Sequence, residues 1–428
     1  MMKRVISLFL ILVSVLVLTS CSLFDLEGLF GDSDNKEKAT VTENKETNTP
    51  VYCKDGIVEN IKYDNLQIHF LELGNKYSGD SIYIKAGEND ILIDAGSRKG
   101  SAFTIKDYIK HYMTDKKFEY VIATHAHTDH IAGMAGIKSK GVYDGILYSY
   151  DVDNLIDFAT TKTTSESYSE YLTAVEYCEN KGTVHHTADY FFENDKLTPK
   201  PEAHIVLGED ISMDILWNKY YFEYSGDEND SSVCVMLNYK EHHFMFTGDL
   251  EKEGETKLAN YYNGLTKERT LPTVDLFKGG DHGSYTASND FLLSIIKPKI
   301  SVCCCCAGTT QSEFATPNIH TFPSQEYIDR ISKYTDRVYI TTLYIDDPDA
   351  IDPFNSFNGN ICVSSDGENI GLYASNNLTK LKDSDWIKQD VYVDSNGNIV
   401  AKDSPDAIKV PRRTIPKAWQ NNEQEEAS

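Results

Sequence analysis

Basic residues are scarce in this chain of 428: 41 lysines and arginines stand against 66 aspartates and glutamates, a formal net charge of −25. A field of that sign repels polyanions, so bulk electrostatics weigh against a dedicated nucleic-acid binder and favour only a site where local cations or bound metal reverse the sign. Long apolar runs are missing too. Beyond the segment from Val5 to Leu18, nothing approaches the roughly 20 apolar residues that span a bilayer, so this chain cannot itself form a pore. Nor does any period of about 20 to 50 residues recur, which argues against a solenoid or propeller.

The single apolar run follows Met1, Met2, Lys3 and Arg4 and ends Leu18, Thr19, Ser20, Cys21. As a helix it would reach roughly 21 Å at about 1.5 Å per residue, short of a hydrocarbon core of about 30 Å, so 1–20 reads as an export signal. Its ending resembles a bacterial lipobox. That resemblance implies lipid on Cys21 and a protein held on the outer face of the cytoplasmic membrane. Residues 21–56 read as a polar tether, since Asp34 to Pro50 holds almost nothing to bury. The folded part is expected over 57–374. A C-terminal extension over 375–428 follows, with a hairpin around Asn396 and Gly397 and a polar tail.

Within the folded part, strand-like segments (Leu66 to Leu73, Ile82 to Lys85, Ile91 to Asp94) precede a helical recurrence at Ile105, Tyr108, Ile109 and Tyr112. The alternation returns at Val233 to Leu237, Phe244 to Thr247 and Leu276 to Lys278, with helices near Glu253 to Tyr262 and Asp290 to Ile296. Further strands are expected at Ile300 to Cys306, Val338 to Thr342 and Ile361 to Ser364, whereas Tyr150 to Asn180 reads as a surface helix with a loop. Two β-rich halves with outer helices predict an α/β fold, a four-layer αββα sandwich. The run Cys303, Cys304, Cys305, Cys306 reads as a buried strand in which cysteine serves as a small apolar residue. A thiolate metal site is the alternative, but strand neighbours alternate faces and do not converge.

The chemistry concentrates at His125, His127, Asp129 and His130, directly after the apolar run Tyr120 to Ala123. Neutral imidazole and carboxylate are ligands for zinc, manganese or iron, and a strand end gives them fixed placement with an open side for water. His125 and His127 point one way in extended chain while Asp129 and His130 lie past the turn, so the two pairs can serve two adjacent ions. Thr247-Gly248-Asp249 has the form of a bridging carboxylate at a strand end, and His282 in Gly279-Gly280-Asp281-His282-Gly283-Ser284 follows another strand.

The order of Asp94 in Ile93-Asp94-Ala95-Gly96, then His125, His127, Asp129, His130, Asp249 and His282, resembles the metallo-β-lactamase-fold superfamily. Phrases such as Gly79-Asp80-Ser81, Asp230-Ser231-Ser232, Asp281-His282-Gly283-Ser284 and Ser364-Ser365-Asp366-Gly367 are similar to one branch, the soluble domain of ComEC-like DNA-uptake competence proteins. The likeness spans roughly Leu66 to Tyr373. Two departures stand out: Asp281 occupies the place of a first histidine, and the branch's His-Pro pair is replaced by Asn318 to Pro323, so that the histidine of the pair is displaced, as His320, or absent.

The resemblance implies a hydrolase with two divalent ions, zinc or manganese, held by His125, His127, Asp129, His130, Asp249 and His282. Asp94 and Asp281 would orient ligands, and Asp129 and His127 would act on the reacting groups. Ser231, Ser232 and Ser284 would contact phosphate oxygens of a phosphodiester, with extracellular nucleic acid as the leading substrate. A third histidine could come from His185, His186 or His204, though a solvent-facing role suits them better. His242 and His243 are expected in an exposed turn. Two other functions compete: hydrolysis of a lactone, β-lactam or thioester, and a non-catalytic surface lipoprotein that binds a partner through its tyrosine-rich surface.

Overall fold

The structure, a computed structural model, describes residues 49–263, 270–310, 315–345 and 353–420. The export signal, Cys21 and nearly all of the tether lie outside the described residues.

Two sheets form the centre. The first runs, in spatial order, Val51–Tyr52, Ile57–Glu59, Ile370–Ala374, Ile361–Ser365, Leu66–Phe70, Ile82–Ala86, Asn89–Ile93, Lys117–Ile122, Asp151–Asp157 and Val184–Thr187. The second runs His204–Gly208, Ile211–Ile215, Val235–Tyr239, His242–Phe246, Leu276–Lys278, Ile300–Ala307, Val338–Tyr344 and Phe354–Ser356. Their facing sides share one apolar core, in which Ile68, Phe70, Ile84 and Ile93 meet Val235, Phe244, Phe246 and Val302. The outer face of the first sheet buries Leu92, Val121 and Leu155 under Ile105, Ile131, Met134 and Tyr171 of its helices. On the second sheet, Met245 and Phe277 lie under Leu258, Leu292 and Ile328. This is the four-layer αββα sandwich expected from the alternation of elements.

Local signals end the helices where the chain must turn. Ser165 accepts from the Tyr168 amide at the start of Glu166–Lys181, and Gly182 closes that helix at φ 106. Asn289 likewise caps Asp290–Ile296 through the Leu292 amide. Such caps satisfy amides and carbonyls that the helix cannot.

Four sequence expectations are corrected. Asp151–Asp157 is a parallel strand between Lys117–Ile122 and Val184–Thr187, not loop, and only Glu166–Lys181 of that stretch is helical. Val51–Tyr52 already pairs with Val58 and Glu59, so ordered chain begins before residue 57. His242 and His243 are half-buried on a strand, where they meet Asp275 and Asn238 at 2.9 and 2.8 Å. The C-terminal segment is not a free tail: Leu381, Trp386, Ile387 and Trp419 are buried on the helix side of the second sheet. Buried Arg413 there donates to the carbonyls of Asn318, Thr321 and Pro323. A turn does form over 394–398, but Asp390–Val393 takes its main partner from Ile408–Pro411.

The cysteine strand alternates as a strand must. Cys304 faces the core between the sheets and Cys303 and Cys305 face the helices, so no two adjacent thiols converge. Among the described residues no helix is long and apolar enough to cross a membrane.

Candidate metal centre

Parallel pairing brings the chemistry together. Because Asn89–Ile93 and Lys117–Ile122 run side by side, Asp94 and Thr124 emerge as neighbours: Asp94 accepts from the Thr124 amide at 2.8 Å and from its hydroxyl at 2.7 Å. The same pairing between His242–Phe246 and Leu276–Lys278 sets Asp249 beside Lys278 at 2.8 Å. The two sheets meet at the site through the Val233 amide, which donates to Thr124 O at 2.9 Å. Two glycines permit this crowding. Gly248 has φ +54 and a Cβ there would sit 2.8 Å from Ser232 Oγ, while a Cβ on Gly96 would lie 2.3 Å from Asp129 O.

Four donor atoms converge: Asp129 Oδ2, His130 Nε2, Asp249 Oδ2 and His282 Nε2 all lie within 4.8 Å of one another. Individual separations are 2.9 Å for His130 to Asp249, 3.2 Å for His282 to Asp249, 3.3 Å for His282 to Asp129 and 4.0 Å for His130 to Asp129. Ligand arms of about 2.1 Å in a tetrahedral site place donors roughly 3.4 Å apart, so the spacing suits one zinc-sized ion. Asp129 Oδ2 and His282 Nε2 are buried without a hydrogen-bond partner, an orphaned pair that a cation would satisfy.

Each ligand is held from behind. Asp94 Oδ2 accepts from His130 Nδ1 at 2.8 Å, and His282 Nδ1 lies 3.0 Å from Cys304 O and 3.2 Å from Asp80 Oδ1. Such backing fixes the ring and leaves the other nitrogen for metal. Lys278, fully buried, bridges Asp80 at 2.6 Å and Asp249 Oδ1 at 2.8 Å. Burial alone would raise the Asp249 carboxyl, but His130, His282 and Lys278 outweigh it and hold it well below the carboxylate range. Burial would likewise depress His130 and His282. Asp249 with Asp94 lifts the first well above the histidine range, and Asp249 with Asp80 lifts the second.

His125 and His127 form a separate pair beside this group, with His125 Nε2 and His127 Nδ1 3.0 Å apart. His125 is buried and held well below the usual histidine range by desolvation and by the neighbouring His130. Its Nδ1 lies 3.1 Å from Thr124 Oγ1 and 3.4 Å from Ser232 Oγ. Half-buried His127, with Asp129, opens on a cavity of about 290 Å³ whose other walls include Tyr77, Ser78 and Arg98.

Other residues singled out in the sequence lie elsewhere. Asp281 turns its carboxylate to Thr286 Oγ1 at 2.8 Å, and burial followed by the nearby Asp249 pushes it up to about 6; orienting His282 falls to Asp80 and Cys304. Ser231 bonds Thr160, Ser284 bonds Thr286, and fully buried Ser232 accepts from the Asp249 amide, so none of the three lines the cavity. His185 pairs with Asp157 and Glu179, His186 stacks on Tyr190 at 3.7 Å, and His204 pairs with Asp214; none joins the cluster. Sequence reasoning missed Asp80 and Lys278 as parts of the centre. The signal for Lys278 was a lone cation closing the apolar strand Leu276-Phe277 just before two glycines.

The family model of the metallo-beta-lactamase superfamily matches residues 74–307, more than half of the chain. The chain belongs to the metallo-beta-lactamase superfamily. Solved structures with a similar fold include the metallo-beta-lactamase fold protein YhfI from Bacillus subtilis, at 10% identity and TM-score 0.33, covering 64% of this chain and 95% of that one. A metallo-beta-lactamase from Cronobacter sakazakii aligns at 14% identity and TM-score 0.28, over 49% of this chain and 73% of its own. CmlA, a diiron beta-hydroxylase from Streptomyces venezuelae, aligns at 12% and 0.31, over 56% and 44%. Comparison with curated proteins gives no match. The matched segment of this superfamily member contains all six residues of the converging and paired groups.

Proposed function

We propose that this protein is an exported, lipid-anchored metallohydrolase that cleaves phosphodiesters, with extracellular nucleic acid as substrate, using two divalent ions, zinc or manganese. The observation that carries the reading is the convergence of Asp129, His130, Asp249 and His282, a buried group that reaches the cavity through Asp129, with His125 and His127 alongside. The four-donor group would hold one ion and the histidine pair would help to hold the other. Bound divalent ions act as Lewis acids and depress the pKa of water toward neutrality.

The chain's own residues do the rest. Asp94 and Asp80 keep the imidazoles turned inward, and Lys278 offsets part of the charge of Asp80 and Asp249. Asp129, the ligand that also borders the cavity, stands where a proton from attacking water would be received. The resemblance to competence-protein hydrolases supports the phosphodiester over a carbonyl substrate.

Purified protein loaded with Mn²⁺ or Zn²⁺ is expected to turn over bis(p-nitrophenyl) phosphate and single-stranded DNA, and His127→Ala to lose most of that turnover. Hydrolysis of a lactone, β-lactam or thioester with no diester turnover would overturn the substrate assignment. A chain that takes up no ion under metal-replete conditions would favour a partner-binding role.

A further inference from the structure

The cavity beside His127 and Asp129 has one arginine on its wall, Arg98. Lys85, Lys278, Arg337 and Lys380 all face carboxylates, and Arg330 and Arg413 are engaged by several carbonyls. Arg98 has no ion pair among the described residues. Its guanidinium gives one hydrogen bond, from Nη1 to Ser97 O at 2.6 Å, and sits over the Tyr77 ring with Cζ 3.6 Å from the centroid. Four of its five N–H donors therefore have no partner among the described residues.

The platform is fixed in advance. Asn75 Nδ2 donates to Ser97 Oγ at 2.9 Å, and Asn75 Oδ1 accepts from the Tyr77 amide at 3.0 Å, tying the loop that bears Tyr77 to the loop that bears Arg98. The two loops touch so closely that a Cβ on Gly79 would lie 2.6 Å from Ser97 Cα. Stacking on an aromatic face orients a guanidinium and leaves its in-plane edge free, the geometry that grips an oxyanion with two parallel hydrogen bonds.

We infer that Arg98, stacked on Tyr77, is the residue that receives the non-bridging oxygens of the substrate phosphate in this cavity. This rests on the phosphodiester reading and adds to it the specificity determinant. In a chain of net charge −25, a cation on the cavity wall complements a phosphate, and unlike Lys278 it is not already paired with carboxylates. At about 290 Å³ the cavity suits one phosphate with a flanking group, not a duplex.

The test uses the full chain loaded with Mn²⁺. Arg98→Gln is expected to raise KM for bis(p-nitrophenyl) phosphate at least 10-fold, with kcat within 3-fold and metal content unchanged; Arg98→Lys, which keeps charge but loses the planar fork, should fall between. Calorimetric titration with inorganic phosphate should show binding to the parent weakened at least 10-fold in Arg98→Gln. If the parent cleaves the diester and both variants retain its KM and phosphate affinity, the assignment of Arg98 is overturned while the phosphodiester reading stands. If the parent cleaves no diester, that reading fails, and the phosphate titrations alone decide on Arg98: weakened binding in the variant supports it, equal binding overturns it.

Discussion

The two halves of the metal centre are built to different standards. In the group of Asp129, His130, Asp249 and His282, three ligands have a buried partner behind them: Asp94 behind His130, Asp80 and Cys304 O behind His282, and Lys278 behind Asp249. The His125 and His127 pair has only hydroxyls behind His125, and His127 faces the cavity. Electrostatics separate them further: burial lowers all three buried histidines, but neighbouring carboxylates more than offset it at His130 and His282, while at His125 the adjoining imidazoles add to it. Rigidity and charge are thus concentrated on the four-donor group, and the histidine pair is left less constrained on the cavity side.

Removing the buried cation should break this contrast most severely. Lys278→Met takes from Asp80 and Asp249 the lysine they share and leaves only His130 and His282 to offset them, and breaking a buried pair in this way costs about 3–5 kcal/mol. Chemical denaturation of the metal-free protein checks it, and added Mn²⁺ should restore part of the loss; unchanged stability would mean that the lysine contributes nothing net. Next in size, Asp94→Asn should weaken binding of the tightest ion about 10–100-fold by releasing His130, as loss of an orienting partner commonly does. His127→Ala should leave that ion's affinity within a few-fold, and isothermal titration of the two variants side by side would show whether the halves differ as described.

The smallest effect lies away from the centre. His185 is raised to about 9: burial opposes the charge, but Asp157 and Glu179 more than offset it. A raised histidine contributes stability that is complete below its unfolded value near 6.5 and fades as pH climbs through 9. His185→Gln should therefore cost about 1 kcal/mol at pH 6, after discounting for partial exposure, and almost nothing at pH 10. Denaturation midpoints at the two pH values test this, and a deficit independent of pH would contradict it.

Much of the site was legible because its residues sit where short-range pattern is strongest, at apolar strand ends followed by glycine or a helix start. His125 through His130, Asp249 and His282 could be found that way, and the two β-rich halves followed from spacing. What escaped depends on partners distant in sequence. Asp80 and Lys278 are charges that make sense only when two sheets press them together. The strand Asp151–Asp157 carries Asp151, Asp153 and Asn154 on its less buried positions, so its composition resembles loop. Trp386 and Trp419 stand isolated among polar neighbours, and only docking onto the helices of the second sheet gives them a core.

The four-cysteine strand offers a gauge of how this molecule opens. All four thiols are sealed inside the second sheet, and burial pushes Cys303 up to about 11 and Cys304 and Cys305 higher still, so almost none of these three is present as thiolate in the native state. An alkylating reagent can modify them only during excursions that part the sheet from its neighbours. The pace of that labelling would clock breathing of the sandwich directly, with no probe introduced.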